Sequence, residues 1–349
     1  MLPTPDTSHV SFDTIYEPSE DSYLFLDTLS SASESKWLSE RFPKNQEASP
    51  LVVEVGTGSG VVLAFTAAQS QQIFGRRDIL TLGTDVNRNA CIATWKTATT
   101  AIQTEQQPSP QSLHISSLTA DLCAPLRPGS VDVLLFNPPY VPTEDLPRLP
   151  SAAENDPAVS EAMSRSAKFD NDSYFLSLTY AGGADGMETT DRLLDAIPGV
   201  LSARGVAYVL LCKQNRPDEV MGRIRGWGGW RAETAGSSGM QAGWEKLVIP
   251  IPTRRSAHSQ CGRMPQKYQT PPEKRFSPGL VWPVGHDDLV ASYLQPILGD
   301  FVKPCSLGDT VSTMQLNWLA GYGVSSSLPC CSGRLALNNH IWPGDSSSG

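Results

Sequence analysis

The order of apolar runs in this chain predicts an α/β fold: a doubly wound, mostly parallel seven-stranded sheet with a C-terminal antiparallel hairpin. Three observations carry that reading. Short apolar runs alternate with longer helix-like runs between residues 51 and 227, the pattern of parallel strands joined by right-handed crossovers. Two of the runs, "LVVEV" (51–55) and "VDVLLF" (131–136), are almost wholly apolar, as expected of strands covered on both faces. Glycines, acids and an asparagine fall at or just after the strand ends, where ligands bind on such sheets.

Taken in order, strand one is "LVVEV", followed by "GTGSG" and a helix over "VVLAFTAAQSQQIF" (61–74). Strand two is "ILTLGT" (79–84), ending at Asp85, and a second helix covers "NRNACIATWKTATTAI" (87–102). Strand three lies within "SLHISSLTA" (112–120) and ends near Asp121; strand four is "VDVLLF". A helix over "METTDRLLDAIPGVLS" (187–202) leads to strand five, "GVAYVLLC" (205–212). "RPDEVMGRIRGW" (216–227) reads as a short helix, and the stretches around Trp230 and "WEKLVIP" (244–250) as the closing pair. "TEQQPSPQS" (104–112) and the segment 147–173 read as loops.

Strand four runs directly into "NPPY" (137–140). Pro138 and Pro139 end the strand because neither has an N–H to donate and each fixes its own φ. The residue before a proline is held near extended geometry. Asn137 therefore sits at a stiff strand end, its amide placed to read another amide or amino group.

The loop "EVGTGSG" carries glycines at 56, 58 and 60, which permit a sharp turn and close approach of a ligand. Dehydrogenases use a related turn, but here valines stand where the dinucleotide fingerprint has its last glycine. Asp85 lies 25 residues after Gly60, at the end of strand two, and can accept both hydroxyls of a ribose. Glu54 is expected to place a negative charge beside the loop. Acidic neighbours would repel a diphosphate and favour a cofactor carrying a sulfonium and an adenosine. Asp121 would accept from the adenine amino group.

Composition narrows the field. The chain has 349 residues, a net charge of −9 and a sequence pI of about 5.1. An acidic chain is a poor candidate for gripping nucleic acid through a broad basic surface, so no direct nucleic-acid binding is expected. The opening "MLPTPDTSHV" lacks the pattern of a signal peptide, and no run approaches the ~20 apolar residues of a membrane span. The seven cysteines (91, 123, 212, 261, 305, 330 and 331) form no CxxC and no metal-like spacing with histidine. A reduced, cytoplasmic protein follows, with the nucleus also open to it, and no metal site is expected. The five histidines (9, 114, 258, 286 and 340) lie outside these motifs.

Near residue 252 the composition shifts to Ser, Pro and Gly. Eight Lys and Arg against six Asp and Glu follow Thr253, leaving 19 against 30 before it. Residues 1–252 are read as the folded domain and 253–349 as a low-complexity extension that cannot offset its ordering entropy.

With these motifs in this order, the chain resembles the class I S-adenosylmethionine-dependent methyltransferases of the HemK type, which have a Rossmann-like fold. They methylate the glutamine amide of the Gly-Gly-Gln tripeptide in peptide-chain release factors. "YEPSEDSYLFLDTL" (16–29), "AGGADGMETTDRLL" (181–194) and "QAGWEKLVI" (241–249) extend the resemblance to the eukaryotic branch, over residues 12–252. The resemblance implies that Ser22, Glu54, Gly56, Gly58, Asp85, Asp121, Leu122 and Asn137 hold the cofactor. It implies that Asn137, Pro138, Pro139 and Tyr140 meet the substrate, with Asn137, Pro138 and Tyr140 serving the chemistry. It also implies a small zinc-binding activator subunit, for which the uncharged edge of strand three (112–120) is the expected seat. Tyr180 stands where the branch often has tryptophan, and the segment between Tyr140 and Tyr180 is longer than usual. Other readings compatible with "NPPY" are methylation of an adenine amino group or of lysine, and an inactive cofactor-binding scaffold.

Overall fold

The computed structural model describes residues 2–45, 48–156, 158–159, 162–238 and 247–254. Two helices, α1 (Glu20–Ser30) and α2 (Ala32–Arg41), precede the first strand. The parallel part of the sheet comprises β1 (Leu51–Val55), β2 (Leu80–Asp85), β3 (Leu113–Thr119), β4 (Val131–Phe136) and β5 (Leu201–Val209). It is completed by β6 (Leu211–Cys212), β7 (Trp230–Ser237) and β8 (Leu247–Arg254). The strand order is β3-β2-β1-β4-β5-β8-β6, with β7 also paired to β8.

All pairings among the first five strands are parallel, and β8 runs antiparallel to β5, β6 and β7. β6 continues β5 beyond Leu210, whose N–H still donates to Phe136 of β4 at 2.9 Å. Counted as one interrupted strand, β5 and β6 restore the expected seven.

Period-two alternation sends successive strand residues into two separate cores. Val53, Val55, Leu134, Phe136, Ala207 and Val209 enter one core. It includes residues of α7 (Glu188–Val200) and α8 (Pro217–Arg225). Val52, Val133, Leu135, Val206 and Tyr208 enter the other. That core draws on α1, α2, α3 (Val61–Ala68) and α4 (Ser70–Phe74). β1 and β4 are buried along their whole length, which explains their nearly unbroken apolar sequence. Of the two acidic exceptions, Glu54 and Asp132, the second accepts the Leu51 N–H at 3.0 Å and pairs with Arg204 at 2.8 Å, so its charge is compensated where it is buried.

Several boundaries differ from the sequence reading. The helix expected over 61–74 divides at Gln69 into α3 and α4. α5 (Arg88–Glu105) extends into the expected 104–112 loop. The expected loop 147–173 contains the start of α6 (Arg165–Tyr180), capped by Ser164 accepting the Ala167 N–H. Only Phe175 of α6 is buried, so the helix leaves no apolar stripe in the sequence for periodicity to detect. β5 begins at Leu201 rather than 205. β8 runs past residue 252 to Arg254. The remainder of the 253–349 extension, like residues 241–246 of the closing segment, lies outside the described residues.

Candidate active site

A cavity of about 240 Å³ opens beyond the carboxyl ends of β1, β2 and β4. Ser22, Glu54, Gly56, Gly58, Asp85, Asp121, Leu122, Asn137, Pro138, Pro139 and Tyr140 all line it. The sheet order explains the convergence, since β1 lies between β2 and β4 and their ends meet at one rim.

The glycine loop turns through positive φ at Gly56, Gly58 and Gly60. Gly60 is further constrained because a Cβ there would lie 2.6 Å from the Thr94 Cα of α5. The turn and the helix after it surround two carboxyls, the buried Glu54 and the half-buried Asp85. Glu54 accepts from the Thr57 hydroxyl at 2.8 Å and the Leu63 N–H at 3.2 Å. Asp85 accepts from the N–H of Gly58 at 2.9 Å and of Asn87 at 2.8 Å. Burial outweighs these bonds. It pushes the Glu54 carboxyl up to about 8 and raises Asp85 above the usual carboxylate range. Burial thus opposes the negative charge that the sequence leads one to expect of Glu54 beside the loop.

Asn137 follows β4 directly, and its Nδ2 donates to Asp21 Oδ2 at 3.1 Å. Its Oδ1 is buried without a hydrogen-bond partner, a state that costs about 1–3 kcal/mol if nothing fills it. The "AGGADGM" segment locks the rest of "NPPY". Val141 donates to Tyr180 O at 2.9 Å, and Gly182 donates back to Val141 O at 2.8 Å. A Cβ at Gly186 would lie 2.0 Å from the Tyr140 carbonyl oxygen, so no larger residue fits there. Asn215, 2% exposed, donates to the carbonyls of Tyr140 at 3.2 Å and Asp185 at 3.0 Å.

At the other end, Leu122 holds φ +47°, a conformation that costs an L-residue energy unless its surroundings fix it. Its neighbour Asp121 forms an ion pair with Arg192 of α7. The opposite wall comes from the long segment, through Leu146, Leu149, Phe175 and Tyr180.

No family model matches the chain. Curated relatives do. Methyltransferase HEMK2 of Homo sapiens is 32% identical over 252 residues, covering 70% of this chain and 94% of that protein. Its namesake in Mus musculus is 33% identical over 225 residues, 63% of this chain and 83% of that one. The eRF1 methyltransferase catalytic subunit mtq2 of Schizosaccharomyces pombe is 31% identical over 220 residues, 62% and 81% of the two chains. The chain belongs to the HemK-type S-adenosylmethionine-dependent protein-glutamine methyltransferases.

The cavity suits the cofactor of a HemK-type enzyme. Buried Glu54 and half-buried Asp85 lie at the glycine loop, and among the described residues the one Lys or Arg in the lining, Arg192, is already paired. A cofactor with cationic groups and a ribose diol fits these acceptors, whereas a diphosphate would find no free Lys or Arg among the described lining residues. Among the described residues, no group of three or more His, Cys, Asp or Glu could hold a metal ion, and no helix is long and apolar enough to cross a membrane.

Three residues of this HemK-type site escaped the sequence reading. Asp21 is hidden in an acidic run, "SEDS", that reads as a helix N-terminus. Arg192 sits on a helix whose apolar face draws attention to the core instead. Asn215 lies 75 residues from the tyrosine whose carbonyl it holds, beyond any local pattern.

Proposed function

We propose that this enzyme transfers a methyl group from S-adenosylmethionine to the side-chain amide nitrogen of the glutamine in the Gly-Gly-Gln motif of the eukaryotic release factor. The observation that carries the reading is the buried, unpartnered Oδ1 of Asn137 at the rim of an acid-lined cavity. An amide nitrogen is a weak nucleophile because its lone pair is delocalised. Acceptors that engage both amide hydrogens help by aligning the nitrogen and drawing on its N–H bonds. Asn137 Oδ1 and the Pro138 carbonyl take that role, and Tyr140 packs beside the target side chain. When bound, S-adenosylmethionine supplies a methyl already activated on a sulfonium. Methyl transfer from that sulfonium would leave a neutral thioether, and the amide proton would pass to solvent, so the site's residues need supply no strong base. Much of the acceleration comes from alignment. Asp85 would hold the ribose, Asp121 and Leu122 the adenine, and Ser22, Glu54, Gly56 and Gly58 the methionine portion.

A small zinc-binding activator subunit on the outer edge of β3 belongs to the same reading. β3 ends the sheet, Leu113 is 51% exposed, and Ile92 and Trp95 of α5 are exposed as well. Covering them would remove apolar surface from water. A stable one-to-one complex is expected on co-expression; a monodisperse, fully active enzyme purified alone would refute the partner.

The functional test is tritium transfer from labelled S-adenosylmethionine to purified release factor, to its Gly-Gly-Ala variant, to DNA and to a lysine-rich protein. Label in the first alone supports the proposal. Label retained by the Gly-Gly-Ala variant, or found only in DNA or lysine, would overturn it.

A further inference from the structure

We infer that Asp21 is a positioning residue that fixes which end of the Asn137 amide faces the substrate; the inference rests on the function proposed above. An asparagine amide can rotate by a half-turn and exchange its oxygen for its NH2 with little change of shape. Only one of the two orientations accepts a hydrogen bond from an incoming glutamine amide. The prolines after Asn137 stiffen the backbone but cannot select between them.

Asp21 can. It is 3% exposed, at the start of α1, and its Oδ2 stands 3.1 Å from Asn137 Nδ2. An ionised carboxylate only accepts, so it admits the NH2 of Asn137 and rejects the oxygen. Oδ1 of Asn137 is thereby turned away from Asp21 and left without a partner. Asp21 is itself fixed, because its Oδ1 accepts the Ser22 N–H at 2.6 Å and the Ser22 hydroxyl at 3.2 Å. Backbone geometry in α1 is thus transmitted through one carboxylate to an amide 116 residues away.

That arrangement makes the isosteric variant informative. In Asp21→Asn the Ser22 N–H still requires an oxygen at the Oδ1 position. The new NH2 then occupies the Oδ2 position and faces Asn137. Two NH2 groups cannot pair, so Asn137 must turn its oxygen towards residue 21 and offer its own NH2 to the substrate. The polarity of the acceptor is reversed with almost no change in volume.

In the full-length chain, with the activator subunit if one is required, Asp21→Asn should lower kcat on release factor by about tenfold or more. KM and the Kd for S-adenosylhomocysteine should stay within about twofold, because neither depends on the Asn137 oxygen alone. Asn137→Asp should be inactive, since it sets two carboxylates against each other. The double variant Asp21→Asn/Asn137→Asp restores a donor facing an acceptor and should recover at least about tenfold over Asn137→Asp. Unchanged kcat in Asp21→Asn, or no recovery in the double variant, would overturn the inference. If Asp21→Asn does not fold, the double variant decides alone. A wild-type enzyme that folds but leaves release factor unlabelled defeats the proposed function instead. The Asn137 side-chain NH2 signals in a ¹⁵N spectrum, assigned by their loss in Asn137→Ala, then decide on Asp21. They must shift in Asp21→Asn, and unchanged signals would refute the hydrogen bond.

Discussion

At the strand ends, buried Glu54 and half-buried Asp85 accept hydrogen bonds from the glycine loop, the start of α3 and the start of α5. In the segment from the end of β4 through α6, by contrast, exposed Arg148 pairs with half-buried Glu154 while its guanidinium lies over Tyr174. Both regions line one cavity, through Glu54 and Asp85 on one side and Leu149 and Phe175 on the other. They are stabilised by different physics. The strand-end groups sit where desolvation dominates, so their protonation and orientation are fixed by neighbours within 3.2 Å. The segment's charges remain hydrated, where an ion pair contributes little. Chemistry that requires a fixed geometry belongs to the first region. Admission of a protein substrate requires a surface that can adjust, and the second offers exposed Leu149, Leu176 and Tyr180.

The sharpest way to break that contrast is at Asn137. Asn137→Ala should lower methyl transfer by about 10²–10³-fold, the loss expected when a fixed transition-state partner is removed. S-adenosylhomocysteine binding should change little, since the lost Oδ1 has no partner in the folded protein, while loss of the Nδ2 donor to buried Asp21 should lower the melting temperature somewhat. Single-turnover kinetics on release factor measure the first and calorimetry the second.

Asp85→Ala should act on binding. Hydrogen bonds from a ribose diol to a carboxylate are worth about 2–4 kcal/mol together, so Kd for the cofactor should rise at least about tenfold. The Gly58 and Asn87 N–H groups also lose their acceptor, and some loss of melting temperature should accompany the binding defect.

Glu54 gives a pH signature. Its carboxyl is raised to about 8, above its ordinary 4.5. The folded cavity therefore favours the protonated form, and the stability it contributes is present at low pH and lost as pH rises through about 8. A cationic cofactor favours the ionised form. Affinity for S-adenosylmethionine should consequently increase severalfold from pH 6 to about 8 and then level off, with proton release on binding. Glu54→Gln should abolish that dependence. Calorimetry in buffers of different ionisation enthalpy checks both.

The smallest effect should come from the pair of Arg148 and Glu154. Arg148 holds the Glu154 carboxyl at about 2, but solvent screens the interaction, so Glu154→Gln should move the melting temperature by no more than about 2 °C. Cofactor affinity should be unchanged. A large loss of binding in this variant would show that the segment is as rigid as the strand ends.

The parallel sheet, the strands at 51–55 and 131–136 and the strand-end residues Glu54, Gly56, Gly58, Asp85, Asp121 and Asn137 were legible because each depends on local rules. An apolar run buried on both faces, a glycine turn and a proline stop announce themselves within a few positions. Helix α6 was not legible, since a helix that buries only Phe175 leaves no periodic trace. Nor could the sequence assign a charge state to Glu54, because its pKa follows from burial by distant residues and not from its neighbours in the chain. The partners of the site residues lie furthest from any local rule. Asp21 meets Asn137, Asp121 meets Arg192, and Asn215 meets Tyr140 only once the sheet has brought their elements together. Sequence thus determined which chemical groups stand at the rim, since strand length and stop signals are local. Tertiary structure alone decided how they are charged and which way they face, because desolvation and hydrogen bonding are set by whatever the fold packs against them.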